Sequence, residues 1–264
     1  MTETFQITRE QAQTYDDQFV PALFAQWAPQ LVDCARVRPG QSVLDVACGT
    51  GVVAKAARAV VGSAGRVVGA DLNPAMLEVA RDARPDLEWA QGDAEDLPFA
   101  DAEFDVALCQ SGLFFFADPG RAVAEMARVV APGGLVGLQT YASLAEQPAY
   151  GPFVDLIARH TGPEARALLG TYWSHGDLDD LLRLTSAAGL SLVESRSSLG
   201  VAVFPTAGAV ADTEIQATPL ADRITPETHA LIVADTEKLL GQYADESGRV
   251  QVPIRATLVA ARKQ

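Results

Sequence analysis

Short apolar runs alternate along this chain with longer amphipathic stretches, the pattern of buried parallel strands connected by helices. The first run is Val43, Leu44 and Val46, interrupted by the carboxylate of Asp45, and Val52 to Val61 resumes as an Ala-rich apolar helix. Arg66 to Ala70 reads as a second strand ending at Asp71, with Asn73 as N-cap and Pro74 as first residue of a helix reaching Ala83. Leu87 to Ala90 and Phe104 to Cys109 give the third and fourth strands. Asp118 to Val130 carries Val123, Met126, Ala127 and Val130 at helical spacing, and Ala131-Pro132-Gly133-Gly134 ends it before a fifth strand, Leu135 to Thr140. A helix from Asp177 to Ala188, stopped by Gly189, precedes a sixth strand in Leu190 to Phe204. Arg249 to Arg262 closes the chain as a last strand, expected to run antiparallel.

Three stretches depart from this alternation. Residues 1–40 read as a helical cap, with Thr8 as N-cap and Gln11 completing a capping box, Tyr15, Phe19, Leu23, Phe24 and Trp27 near helical spacing, and Pro21 and Pro29 as breaks. Residues 141–176, rich in proline and aromatics, and 205–247, helical around Ala230 to Leu240, are insertions with the length and composition of a helical lid over a substrate pocket. The expectation is one α/β domain spanning residues 1–264.

The chemistry concentrates after the first strand. Gly49 and Gly51 permit a tight turn with positive φ and close backbone approach to a ligand. A strand, a glycine turn and a helix N-terminus together suit a nucleoside-containing cofactor. Gly49-x-Gly51-x-x-Ala54 also fits the loose dinucleotide fingerprint, so this spacing alone leaves a nicotinamide-dependent oxidoreductase open. Asp71, roughly twenty residues past the glycines at a strand end, can accept both ribose hydroxyls.

The whole string Val43 to Ala54, VLDVACGTGVVA, is more specific. It resembles motif I of the class I S-adenosylmethionine-dependent methyltransferases, in which an acid precedes a G-T-G turn. Gly92 to Phe99, GDAEDLPF, resembles the adenine-binding segment of that family, and the helix, P-G-G and strand after Asp118 match it too. The resemblance runs in register from about Gln41 to Gly134 and looks most like the small-molecule branch that includes quinone C-methyltransferases.

It implies a Rossmann-like seven-stranded sheet in the order 3-2-1-4-5-7-6, last strand antiparallel, with S-adenosylmethionine as methyl donor and S-adenosylhomocysteine as product. Asp45, Asp71 and Asp93 then stand where family members hold the amino, ribose and adenine groups, with Ala47, Gly49, Gly51, Leu72 and Ala94 beside them. Gln110 and Ser111 open on the crevice if the first and fourth strands are neighbours. Tyr15 and Phe19 would touch ligand from the N-terminal cap, and Phe114 to Phe116 would wall the site from water. Tyr141, Phe153, Tyr172 and Trp173 are the aromatic candidates for substrate contact.

Composition narrows the acceptor. A formal net charge of −14 and a pI near 4.5 argue against nucleic acid and anionic membranes, and the only lysines are Lys55, Lys238 and Lys263. A small molecule is the expected partner. Cys34, Cys48 and Cys109 form no C-x-x-C pair and suit a reducing compartment, and with no signal-peptide pattern or membrane-length apolar run the expectation is a cytoplasmic protein. No metal is expected, because the strand-end acids are assigned to the cofactor and Gln110 is no hard-cation ligand. For a hydroxyl acceptor His160 or His175 would be the general base, whereas His229 reads as structural. A catalytically silent cofactor-binding relative would carry the same motifs.

Overall fold

The computed structural model describes residues 7–216, 220 and 223–264, so the start of the N-terminal cap and part of the second insertion lie outside the described residues. Seven strands form one mixed sheet in the order β3-β2-β1-β4-β5-β7-β6. They are β1 (Ser42–Val46), β2 (Arg66–Asp71), β3 (Glu88–Gln91), β4 (Phe104–Gln110), β5 (Val130–Tyr141), β6 (Leu190–Phe204) and β7 (Val250–Lys263). β1 pairs in parallel with both β2 and β4, so its carboxyl end lies where the strand order reverses.

The helices are α1 (Arg9–Thr14), α2 (Ala28–Cys34), α3 (Val52–Val61), α4 (Pro74–Ala83), α5 (Pro119–Val129), α6 (Tyr150–Thr161), α7 (Pro163–Leu169), α8 (Leu178–Ala187), α9 (Ala207–Gln216) and α10 (Pro226–Leu240). Several stop and start signals act as the sequence predicts. Thr8 and Gln11 make the full capping box of α1, Asn73 accepts from the Ala75 N–H, and Asp177 accepts from the Asp179 N–H.

Strand alternation decides what each face of β1 does. Leu44 and Val46 enter a buried cluster with Ala107 and Cys109 of β4, Val123 and Met126 of α5, and Leu181 of α8. Asp45 points the other way, toward α3.

Two expected breaks prove to be distortions within continuous elements. Pro21 lies inside a π-helical stretch, Tyr15–Phe24, in which the Ala25 N–H reaches back to the Val20 carbonyl at 2.8 Å. Widening the turn relieves the clash between a proline ring and the preceding turn. The P-G-G segment is likewise part of β5, where Phe104 pairs with Val130 but Val106 pairs with Leu135. The extra residues form a bulge, with Gly133 at φ 81° and Gly134 packed so that a Cβ would stand 2.5 Å from the Asp105 carbonyl oxygen.

The chain divides into two compact units. The first comprises residues 1–140, 177–197 and 257–264, and holds the motifs above. The second comprises residues 141–176 and 198–256, which include both insertions. Its α10 packs on α6 and α9, burying Phe153, Ile157, Val210, Ile232 and Leu240. Helix α9 carries no clear periodic signal in the sequence.

Candidate cofactor site

The chain leaves β1 through three residues in the left-handed region: Ala47 (φ 54°), Gly49 (53°) and Gly51 (85°). The Gly51 N–H donates to the Cys48 carbonyl at 2.8 Å, closing the turn directly before α3. At Gly51 glycine is required by packing as well as by φ, since a Cβ would stand 2.3 Å from Cη2 of Trp89. The same indole would meet a Cβ on Gly69 at 2.4 Å, so Trp89 backs the turn and locks it to β2. Sequence reasoning missed Trp89, because one tryptophan in a four-residue strand reads as ordinary core.

Asp45 and Asp71 organise the turn from beneath. Gly51 has no side chain to cap α3, and Asp45, only 1% exposed, does so from the strand by accepting the Ala54 N–H at 2.8 Å. Burial pushes its carboxyl up to about 8, against the pull of the Ala54 N–H and with the help of the Asp71 charge. Asp71 accepts the Gly49 N–H and the Asn73 N–H, each at 2.8 Å, on separate oxygens. Burial raises its pKa while those N–H groups oppose the rise. Each oxygen keeps a further lone pair for a ligand. Leu72, 50% exposed, stands beside it.

Tyr15 lies across the turn, with its Cε1 3.7 Å from where a Gly49 Cβ would be, and its ring packs 5.3 Å from Phe24 and 6.3 Å from Phe19. Burial, then Asp71, Asp16 and Asp45, push its phenol far up, so it stays a hydrogen-bond donor. Lys55 of α3 lies 3.6 Å from Asp16 in the same segment.

After β3 the Gly92 N–H donates to the Asp71 carbonyl at 3.1 Å. Asp93 is exposed, folds its Oδ1 onto the Glu95 N–H at 2.9 Å, and is followed by buried Ala94. The spacing of this segment has a packing reason as well: a Cβ on Gly92 would stand 2.6 Å from Cδ of Pro98.

The turn after β4 faces the turn after β1. Gln110 donates through Nε2 to the Phe24 carbonyl at 3.1 Å, and a Cβ on Gly112 would stand 3.1 Å from the Ala47 Cβ. Ser111 also takes a left-handed φ, 54°. Leu113 and Phe116 belong to the core, whereas Phe115 is exposed and lies 4.5 Å from Phe114. Burial raises the thiols of Cys34, Cys48 and Cys109, the first to about 11 and the last to about 12, which keeps them protonated filler rather than nucleophiles.

In the second unit Tyr141, Tyr150 and Trp173 stack in a buried cluster with ring separations of 5.0 and 5.3 Å, and Phe153 meets Tyr150 edge-on. Tyr172 is half-buried, and Glu214, whose carboxyl burial pushes up to about 7, acts on it and on Tyr150. His160 of α6 holds Asp235 of α10 through Nε2 at 3.0 Å; His175 is half-buried and His229 pairs with Asp212. Among the described residues no group of three or more His, Cys, Asp or Glu is placed to hold a metal, and no helix is long and apolar enough to cross a membrane.

A glycine turn at the switch point, with acids ending on the first two strands, defines an α/β protein built for a nucleoside cofactor. The two carboxylates, both raised by burial and Asp45 further by the charge of Asp71, suit one that carries positive charge. Comparison with known proteins identifies it. Residues 44–138 match the family model described as a methyltransferase domain. The ubiquinone/menaquinone biosynthesis C-methyltransferase UbiE of Enterobacter sp. is 34% identical over 184 residues, 64% of this chain and 73% of the relative.

Among solved structures, a candidate methyltransferase of Bacillus halodurans superposes with a TM-score of 0.61 at 24% identity, covering 89% of this chain and 98% of that one. A Haemonchus contortus phosphoethanolamine N-methyltransferase, in complex with phosphomonomethylethanolamine and S-adenosylhomocysteine, gives 0.59 at 18% identity, covering 98% and 58%. The chain belongs to the class I S-adenosylmethionine-dependent methyltransferases and, within them, resembles the quinone C-methyltransferases. It is an enzyme that uses S-adenosylmethionine to methylate a small molecule, and the nicotinamide reading of the glycine spacing is set aside.

Proposed function

We propose that the acceptor is a hydroxylated, quinone-type ring and that the methyl is placed on carbon. The observation that carries the substrate class is the 34% identity to an enzyme named for quinone C-methylation. The observation that carries the cofactor site is the Asp45–Asp71 pair beneath the glycine turn. When bound, S-adenosylmethionine supplies an electrophilic methyl on a sulfonium.

The chain's own residues then divide the binding among them. Asp71 takes the ribose hydroxyls on its spare lone pairs, and Asp93 with the Ala94 backbone takes the adenine edge. Leu72 covers an apolar face of the base. Asp45, drawn to its ionised form by a cation, offsets the charge of the amino group. Tyr15, held as a donor, closes over the turn, and Gln110 and Ser111 complete the crevice opposite Ala47. The protein contributes orientation and exclusion of water rather than covalent chemistry.

The second unit, with its aromatic side chains and the His160–Asp235 pair, supports acceptor selection, and its His160 is the base for a ring hydroxyl. The reaction runs in the cytoplasm on a soluble or membrane-released acceptor, without a metal. Titration calorimetry should show S-adenosylhomocysteine binding and NADH not binding, and the product of turnover with a demethylated quinol should carry its new methyl on carbon by mass and NMR. An O-methyl product would overturn the acceptor reading, and absence of S-adenosylhomocysteine binding would overturn the site.

A further inference from the structure

Gln139 interrupts an otherwise apolar strand, Leu135 to Leu138, and is 0% exposed. An apolar residue would pack there without leaving a polar atom behind, yet the Nε2 of Gln139 has no hydrogen-bond partner. Its side-chain oxygen and its backbone carbonyl are both committed to one residue. The Gln139 carbonyl accepts the Ser111 N–H at 2.8 Å, and the Gln139 Oε1 accepts the Ser111 O–H at 2.9 Å.

Ser111 is held where a serine rarely stays. Its φ of 54° lies in the left-handed region, and the neighbouring Gly112 is pressed so close that a Cβ would stand 2.7 Å from Cys109 Sγ and 3.1 Å from the Ala47 Cβ. Ala47, the residue it meets, is itself left-handed at 54°. Two strained turns therefore face each other across the switch point, and such strain persists only where surrounding contacts over-determine it. The first is locked by Trp89 and Asp71; the second is locked by Gln139.

We infer that Gln139 is a positioning residue for the cofactor crevice: by gripping Ser111 through both side chain and backbone, it keeps the Gln110-Ser111-Gly112 turn closed on Ala47. The inference rests on the reading that this crevice holds S-adenosylmethionine. A residue serving only as core filler would be replaced by methionine, of similar length and volume, with stability kept and binding unchanged.

The test is titration calorimetry of S-adenosylhomocysteine with the full chain, alongside thermal melting. Gln139→Met should weaken binding about fivefold to tenfold, the effect of losing one neutral hydrogen bond, with melting temperature kept or raised. Gln139→Glu, which keeps an acceptor for the Ser111 hydroxyl, should stay within about threefold of wild type. Ser111→Ala should match Gln139→Met, and the double variant should be no weaker than either, because both break the same bond. Should Gln139→Met fail to fold, Ser111→Ala measures that bond from the other side. Wild-type binding with no loss in Gln139→Met or Ser111→Ala, or with losses that multiply in the double variant, overturns the inference alone. No binding by the wild type overturns the cofactor site and the inference together.

Discussion

At the scale of single residues, the site turns on one carboxyl that the fold prefers to keep protonated. Asp45 has its folded-state pKa raised to about 8 by burial, whereas the same group in the unfolded chain titrates near its ordinary value. The native chain therefore binds the extra proton between those limits, and the stability this group contributes is full at the acid end and lost as pH rises toward 8. A cationic amino group placed beside it favours the ionised form. Binding of S-adenosylhomocysteine below pH 8 should release a proton and tighten by up to about tenfold per pH unit, levelling above pH 8. Calorimetry in buffers of different ionisation enthalpy reads the proton directly, and Asp45→Asn, which can still accept the Ala54 N–H, should abolish it; a proton count of zero in the wild type would refute the role. Asp71 makes a different case, since it already serves two backbone N–H groups. Asp71→Ala should weaken S-adenosylhomocysteine by about 1.5–3 kcal/mol, and Asp71→Asn by less, because one acceptor survives. Equal affinity in both variants and the wild type would mean that the ribose is held elsewhere.

At the scale of elements, the glycine turn depends on an indole two strands away. Gly51→Ala combines a left-handed alanine with a contact at 2.3 Å on a rigid ring, and should destabilise the fold by about 2–5 kcal/mol in urea unfolding. Gly62→Ala shares the positive φ, 66°, at an extended ψ of −168°, but meets nothing within 4 Å, so it should cost only backbone strain, about 1–3 kcal/mol. Similar losses at the two positions would show that Trp89 does not fix the turn. This contrast also shows what was legible beforehand. The alternation of apolar runs gave most strands and helices of the first unit nearly to the residue, α3 at Val52–Val61 among them and β5, which begins at Val130 and not Leu135, excepted, because each has its period and its stop signal within a few residues. What it misplaced were elements whose integrity depends on distant partners. Proline and P-G-G are breakers by local propensity, yet Pro21 is absorbed by a π-helical stretch and Gly133-Gly134 by a bulge against β4. The acids and glycines of the site stood out because each type is rare in a buried strand end. Trp89 and Gln139 did not, since their roles exist only once β3 lies behind the turn and β5 beside β4.

At the scale of the whole molecule, the strand order came with the family resemblance and not from periodicity, since neighbouring strands leave no mark on each other's spacing. The two insertions, distant in sequence, belong to one compact unit, and every acid and glycine proposed for the cofactor belongs to the other. That separation predicts how variants divide. His160→Gln, in the second unit, should leave S-adenosylhomocysteine affinity unchanged. Its turnover should fall by about 10²–10⁴-fold if the imidazole removes a ring-hydroxyl proton. The Asp235 carboxylate on Nε2 orients the ring and leaves Nδ1 for that task, so Asp235→Asn should lower turnover by a smaller factor with the same unchanged affinity. An acceptor whose hydroxyl is already ionised needs no base, and raising the pH should restore part of the lost turnover in His160→Gln but not in Asp71→Ala. Exhaustive chelation with EDTA should leave wild-type turnover intact, since Asp45, Asp71 and Asp93 are taken up by the cofactor in this reading and Gln110 is no hard-cation ligand. Turnover that is unaffected by His160→Gln but abolished by EDTA would place the activation on a metal and remove the imidazole from the mechanism.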